Sequence, residues 1–403
     1  MKIQTLIEEK VDNLEHYLAC LISHSMEKGY QIAVWRKPHA SFLEVMIDKS
    51  GQTKRVDIHA LEELQAGFIA HPFEDQEDEK GFYIEADSYL KIDIKKPLDE
   101  QDAALEVLPQ IIPREDCNTL IRNSFVPEKK SSHIKISEEC TKNEFLHLVN
   151  KGIEAIATGA LNKIVPARIK KKSLSDDFDL ISVFKSLIDS YPNAFVNFFH
   201  IPQVGSWIGA SPEILIQTKG EQFYTMSLAG TQKAHGENPL KNAAWTQKEI
   251  EEQALVSRYI VDCFKKIRLR EYDEHGPKTV LAGNLLHLRS DFKVNMKTTN
   301  FPQLGSVMLS LLHPTSAVCG MPRKEAFEFL RINEKFDRSL FAGFIGPVNV
   351  EEVTAIYVNL RTARLMDGQA ILYAGAGVTE DSDPEKEWEE TEMKCEIIGK
   401  HLN

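Results

Sequence analysis

Short strand-like runs recur along this chain with no regular strand–helix–strand rhythm, and this limits its possible folds more than any other feature. Early runs are "YQIAVWR", "SFLEVMID", "GFYIEA" and "YLKIDI"; later ones fall at 194–199, 206–209, 213–218 and 223–228, then 341–348, 352–361 and 370–375. Helical periodicity comes between them, at 141–161, 241–265, 322–334 and in a closing helix from 384. A doubly wound parallel sheet needs a helix after nearly every strand, so the pattern predicts α+β: a large sheet sandwich with surrounding helices. The first twenty residues read as an amphipathic helix with charges spread through it, unlike a signal peptide. The polar stretch "VPEKKSSHIKIS" (126–137) is the expected boundary between an N-terminal part, 1–125, and a main domain, 138–403. The acidic "PFEDQEDEKG" reads as a surface loop, and Pro166 inside "NKIVPARIK" predicts an edge strand or a position whose N–H is not needed.

Composition narrows the partners. A chain of 403 residues that is 42% hydrophobic can bury a large core, and a net charge of −12 argues against nucleic acid or an anionic membrane as main partner. No apolar run is long enough to span a bilayer. Six scattered cysteines without a CxxC pair are expected to be reduced thiols, so the expectation is a soluble cytoplasmic protein. Cys319 has no obvious activating neighbour and is not expected to act as a nucleophile.

The chemistry-bearing patterns are modest one by one. In "DPEKEWEETEMK", Asp383 caps a helix that Pro384 opens, so Glu387 and Glu390 share one face with Lys394. Glu385, Glu389 and Glu392 project the other way as a solvated acidic face. A second i, i+3 pair, Glu249 and Glu252, lies in "KEIEEQALVSRYI". Two such pairs suit a hard cation such as Mg²⁺, although either is equally at home on a solvated helix. "YAGAGVTED" lacks the third glycine of a dinucleotide loop; Gly375 and Gly377 fit a tight turn or a close backbone approach to an anion. Lys163 and Glu213 stand at the heads of apolar strands, either in water at a strand end or facing a dry site as base and acid.

Together, "GASPEILI", "SLAGT", "HPTSAVCGMPRKEA", "FAGFIG", "LRTARL", "YAGAGV" and "SDPEKEWEETEMK" occur in the order found in chorismate-utilising enzymes. Residues 138–403 resemble isochorismate synthases in particular, within the group that includes anthranilate synthase component I. The resemblance implies an aminodeoxychorismate synthase-like fold, with residues 1–125 as a variable part packed on it. It implies Mg²⁺ on Glu249, Glu252, Glu387 and Glu390, Lys163 as the base that activates water, and Glu213 as general acid. The substrate's carboxylates would be gripped by Arg361, Lys394 and the backbone N–H groups around Gly375 and Gly377. His313 and Thr315 would form the active-site wall, and Ala229, Gly230 and Thr231 would also bind substrate.

Three places point to the subfamily. Ammonia-adding relatives typically have glutamine where Lys163 stands, and one type of aminodeoxychorismate synthase has a nucleophilic lysine at the site of Ala229. "HPTSAV" resembles the isochorismate synthase form of its motif more than that of salicylate synthases. The expected reaction is Mg²⁺-dependent isomerisation of chorismate to isochorismate, with salicylate synthesis as the alternative. The expected chain is a monomer without an amidotransferase subunit, and both quinone and siderophore biosynthesis stay open. Gln253, Phe341 and Pro166 depart from the usual histidine, tyrosine and leucine.

Overall fold

The structure, a computed structural model, describes residues 13–74, 79–101, 112–125, 139–236, 238–282 and 285–402. The expected boundary at 126–137 and the centre of the acidic loop lie outside them.

Two large antiparallel sheets organise the described residues, one of eight strands and one of nine. In the eight-stranded sheet the order is Ser88–Asp93, Phe42–Asp48, Gln31–Arg36, Phe195–Ile201, Gly205–Ser211, Thr362–Met366, Gln369–Gly375 and Ala167–Ser173. Both faces are buried, and the two-residue period divides them cleanly. Ala33 and Trp35, with Phe199 and Tyr373, join the core between the sheets. Ile32 and Val34, with Phe198 and Leu372, join a second core beneath the helices Leu14–Glu27, Arg114–Asn123, Leu180–Ser190 and Pro384–Gly399. Aromatic rings bridge the sheets: Trp35 meets Phe68 at 5.4 Å, Phe68 meets Phe199 at 5.6 Å, and Phe195 stacks on Tyr357 at 4.1 Å.

The nine-stranded sheet runs Asp273–Ala282, Leu285–Asn295, Gln222–Lys233, Ile214–Lys219, Val353–Val358, Phe344–Val348, Gly67–His71, Lys80–Glu85 and Lys54–Asp57. Both sheets therefore take strands from either side of the expected boundary: Gln31–Arg36 pairs with Phe195–Ile201, and Gly67–His71 with Phe344–Val348. The helix Gln247–Lys266 covers this sheet through Phe264, which packs on Phe223 and Phe292.

Pro166 interrupts its predicted strand, leaving Lys163–Ile164 paired with Gly320–Met321 and Ala167–Ser173 at the sheet edge. The helix expected at 241–265 is two helices, Pro239–Asn242 and Gln247–Lys266, because a capping box between Thr246 and Glu249 starts the second afresh. The closing helix begins as expected, with Asp383 accepting hydrogen bonds from the N–H groups of Glu385 and Lys386. The long hairpin 273–295 was not anticipated, since its first strand is charged and mostly exposed. All six cysteines are free, and no helix among the described residues is long and apolar enough to cross a membrane.

Candidate active site

A narrow cleft, partly open to solvent, lies where strands of both sheets meet the helices Gln247–Lys266 and Pro384–Gly399. Glu213, Ala229, Gly230, Thr231, Glu252, Arg361, Gly375, Gly377, Glu390 and Lys394 all line it. Glu213 and Lys394, 181 positions apart in the chain, thus share one wall because rigid strands and helices converge there.

Lys163 lies behind that wall with its side chain fully buried, and its Nζ meets Glu252 Oε1 at 2.9 Å. Burial opposes charge on Glu252, but Lys163, with Lys248 and Lys394, outweighs it and holds the carboxyl below its ordinary value. Gly377 makes this approach possible: a Cβ there would come within 2.3 Å of Glu252 Oε1 and 3.4 Å of Lys163 Cε. Glu213, only 4% exposed, behaves oppositely. Burial pushes its carboxyl up to about 8, against the pull of Lys163, Arg361 and Lys394. The cleft thus holds one carboxyl that keeps its proton near neutrality and another that is ionised against a lysine.

Two further cations face the cleft. Burial draws the Arg361 guanidinium down to about 10, and its backbone adopts a left-handed φ of 49°, which costs free energy for a non-glycine residue. Lys394 pairs with Glu390 at 2.6 Å and donates to the Gly375 carbonyl at 2.7 Å. The N–H groups of Ala376 and Val378 are tied to the carbonyls of Pro166 and Ile164, which fixes the Gly375–Gly377 turn against the neighbouring strand.

The four glutamates of the two i, i+3 pairs converge on this region without closing on one point. Glu387 is buried against Lys248; burial and the neighbouring Glu390 raise its carboxyl although Lys248 pulls it down. One oxygen of Glu387, Oε2, is buried without a hydrogen-bond partner. Glu249 uses Oε2 to accept from the Thr246 N–H at 2.6 Å, and its Cβ lies against Gly230. An all-carboxylate donor set with an orphaned buried oxygen, held apart by the ammonium groups of Lys163, Lys248 and Lys394, fits a hard divalent cation.

Some expectations need correction. His313 does not line the cleft; its ring packs on His71 and Phe344, and its Nε2 lies 3.2 Å from the Pro72 carbonyl. Thr315 is also outside the lining, its carbonyl accepting from the N–H groups of Val318 and Cys319. That turn presents Ala317 and Val318 as the wall instead. Glu392 is not part of a solvated face, for it pairs with Arg168 and with Lys170 at 2.8 Å. Cys319 is buried and its thiol is pushed up to about 12 by that burial, consistent with an inert role.

The sequence reading missed His287. It lines the cleft, donates through Nδ1 to the Gly230 carbonyl at 2.7 Å, and has a buried Nε2 without a partner. Burial draws its imidazole down to about 3, so the ring is neutral. A histidine within the apolar run "LLHLRSDF" was the available signal. Of the departures, Phe341 lines the cleft and stacks on Tyr373 at 5.3 Å. Gln253 is buried and donates to Ser227 Oγ at 2.8 Å, anchoring the Glu249–Glu252 turn to the sheet.

Comparison with known proteins agrees with this architecture. The model of the chorismate binding enzyme family matches residues 85–403. Isochorismate synthase EntC of Escherichia coli (strain K12) is 29% identical over 261 residues, 63% of this chain and 66% of that protein. The vibriobactin-specific isochorismate synthase of Vibrio cholerae is 28% identical over 268 residues, 65% and 66% of the two chains. In both, the match spans just under two thirds of the relative's length. MenF, the menaquinone-specific isochorismate synthase from Escherichia coli, superposes with a TM-score of 0.72 at 19% identity, covering 95% of this chain and 91% of that one. That likeness concerns the fold. With a family model matching most of its length, the chain belongs to the chorismate-binding enzymes.

Proposed function

We propose that this protein is an isochorismate synthase: it isomerises chorismate to isochorismate, with Mg²⁺ as cofactor. The observation that carries the reading is a cleft lined by a buried carboxyl that holds its proton near neutral pH, Glu213, with a buried lysine, Lys163, directly behind its wall on Glu252. The names of the relatives, both isochorismate synthases, support the same reading.

Lys163, once it has shed the proton of its resting ammonium, takes a proton from the water that attacks ring carbon C2. Glu213 gives its proton to the hydroxyl leaving C4, which departs as water while the ring double bonds shift. One water is consumed and one released, so the product is an isomer. Each positioned proton transfer contributes roughly 10²- to 10⁴-fold. Arg361 and Lys394 supply the positive charge that a dicarboxylate requires, and the apolar wall of Val165, Phe341 and Leu360 limits competing water. Glu249, Glu252, Glu387 and Glu390 would hold the magnesium ion, which when bound supplies positive charge to the ring carboxylate.

The test is chorismate turnover with Mg²⁺, with and without ammonium, the products separated by chromatography. Isochorismate should form and should disappear with EDTA. Salicylate with pyruvate, or anthranilate dependent on ammonium, would assign the chain to a neighbouring activity.

A further inference from the structure

Far from the cleft glutamates in sequence, a second group of ligand-type side chains gathers in the N-terminal part. His16 and Cys20 are four residues apart on the helix Leu14–Glu27, so they share a face. Cys117 projects from the helix Arg114–Asn123 packed against it, and the two Sγ atoms lie 3.4 Å apart. Among the described residues this is the trio of His, Cys and acidic side chains whose ligand atoms all fall within 4.8 Å of one another.

The surroundings are apolar. Leu18, Leu21, Ile121 and Leu187 belong to the same core, and both thiols are fully buried. All three donors point at one acceptor, the Ile112 carbonyl: His16 Nε2 at 2.8 Å, Cys20 Sγ at 3.6 Å and Cys117 Sγ at 3.7 Å. A carbonyl oxygen offers two lone pairs, so three donors crowd it. A cation in their midst would replace that crowding with nitrogen and sulfur ligation, leaving the carbonyl oxygen or a water for the fourth position. The sulfur separation suits tetrahedral thiolate ligation, in which zinc–sulfur bonds of about 2.3 Å place two sulfurs a little under 4 Å apart.

We propose that His16, Cys20 and Cys117 form a binding site for a zinc-class cation that clamps the first helix to the helix Arg114–Asn123. Its N/S donor set differs in kind from the all-oxygen set at the cleft, so the two sites select different metals. Each thiol must lose its proton to ligate the cation, so binding should weaken as pH falls.

The test uses the full chain, reduced and stripped with chelator, titrated with Co²⁺ as the probe. A thiolate-to-cobalt charge-transfer band should saturate at one equivalent and vanish on adding Zn²⁺; carboxylates at the cleft give no such band. His16→Gln should weaken Co²⁺ binding at least tenfold, and Cys20→Ser and Cys117→Ser should abolish the band. Zn²⁺ should raise the unfolding temperature of the wild type and leave that of Cys117→Ser unchanged, with circular dichroism confirming that each variant is folded. The proposal is overturned if the reduced wild type shows no band, if the band survives both cysteine substitutions, or if His16→Gln binds as tightly as wild type. Uptake of no metal together with ready formation of a Cys20–Cys117 disulfide would also overturn it.

Discussion

In the proposed reaction Lys163 and Glu213 carry the chemistry, and each makes a distinct forecast. Glu213 has a folded-state value of about 8 against an ordinary 4.5. Between those values the folded chain binds more protons than the unfolded one, so Glu213 makes stability fall as pH rises through that window. Glu213→Gln should therefore cut turnover by about 10²-fold or more while leaving the protein at least as stable as wild type at pH 8.5. Wild-type turnover should fall as pH rises through about 8, which a pH–rate profile will read. Lys163→Met should abolish turnover and strand the Glu252 carboxylate, at a cost of about 3–5 kcal/mol in denaturant unfolding. Adding Glu252→Gln to that variant should recover part of the loss, and a double variant no more stable than Lys163→Met would sink the ion-pair account. Lys163 and Glu213 drew notice in the sequence because a charged residue at the head of an apolar run is conspicuous, but that both are buried, rather than in water at a strand end, needed the fold. His287 was not, because it lies within a run whose strand had itself gone unrecognised.

The closing helix Pro384–Gly399 is the element on which the cleft depends most. It brings Glu387, Glu390 and Lys394 to one face, and its own start is fixed by the Asp383 cap. Arg168 docks it from the sheet edge by donating to Thr391 Oγ1 at 2.7 Å, pairing with Glu392 and lying 3.9 Å over the Trp388 ring. Asp383→Ala should cost about 1 kcal/mol of stability, measured by denaturant unfolding, and should raise the Mg²⁺ concentration needed for half-maximal turnover. Unchanged stability would mean that the sheet contacts alone place the helix. This helix was readable from its sequence because cap, proline and spacing act locally. The loop 313–318 was not, since which of its residues face the cleft is set by a turn closed on the Thr315 carbonyl and by the edge-to-face packing of His313 against His71, a residue 242 positions earlier. Glu392 was misread for the same reason: its partners, Arg168 and Lys170, come from a distant strand.

At the scale of the molecule, the α+β sandwich follows from strand patterning, but strand order does not, because pairing partners hundreds of residues apart leave no local trace. The consequence is testable. Gln31–Arg36 lies between Phe42–Asp48 and Phe195–Ile201, and Gly67–His71 lies between Phe344–Val348 and Lys80–Glu85. A fragment of residues 138–403 would lose these strands, expose two sheet edges and uncover the aromatic core around Phe199. It should show no cooperative unfolding transition, whereas a fragment that unfolds sharply and turns over chorismate would show that the N-terminal strands are dispensable. The central claim, addition of water at one carbon and loss of hydroxyl from another, is tested most directly by running the reaction with chorismate and Mg²⁺ in water enriched in oxygen-18. Mass spectrometry should find isochorismate carrying one heavy oxygen, at C2, and none formed by Lys163→Met. Isochorismate without the label would mean that the hydroxyl moves within the substrate, and would contradict the roles given to Lys163 and Glu213.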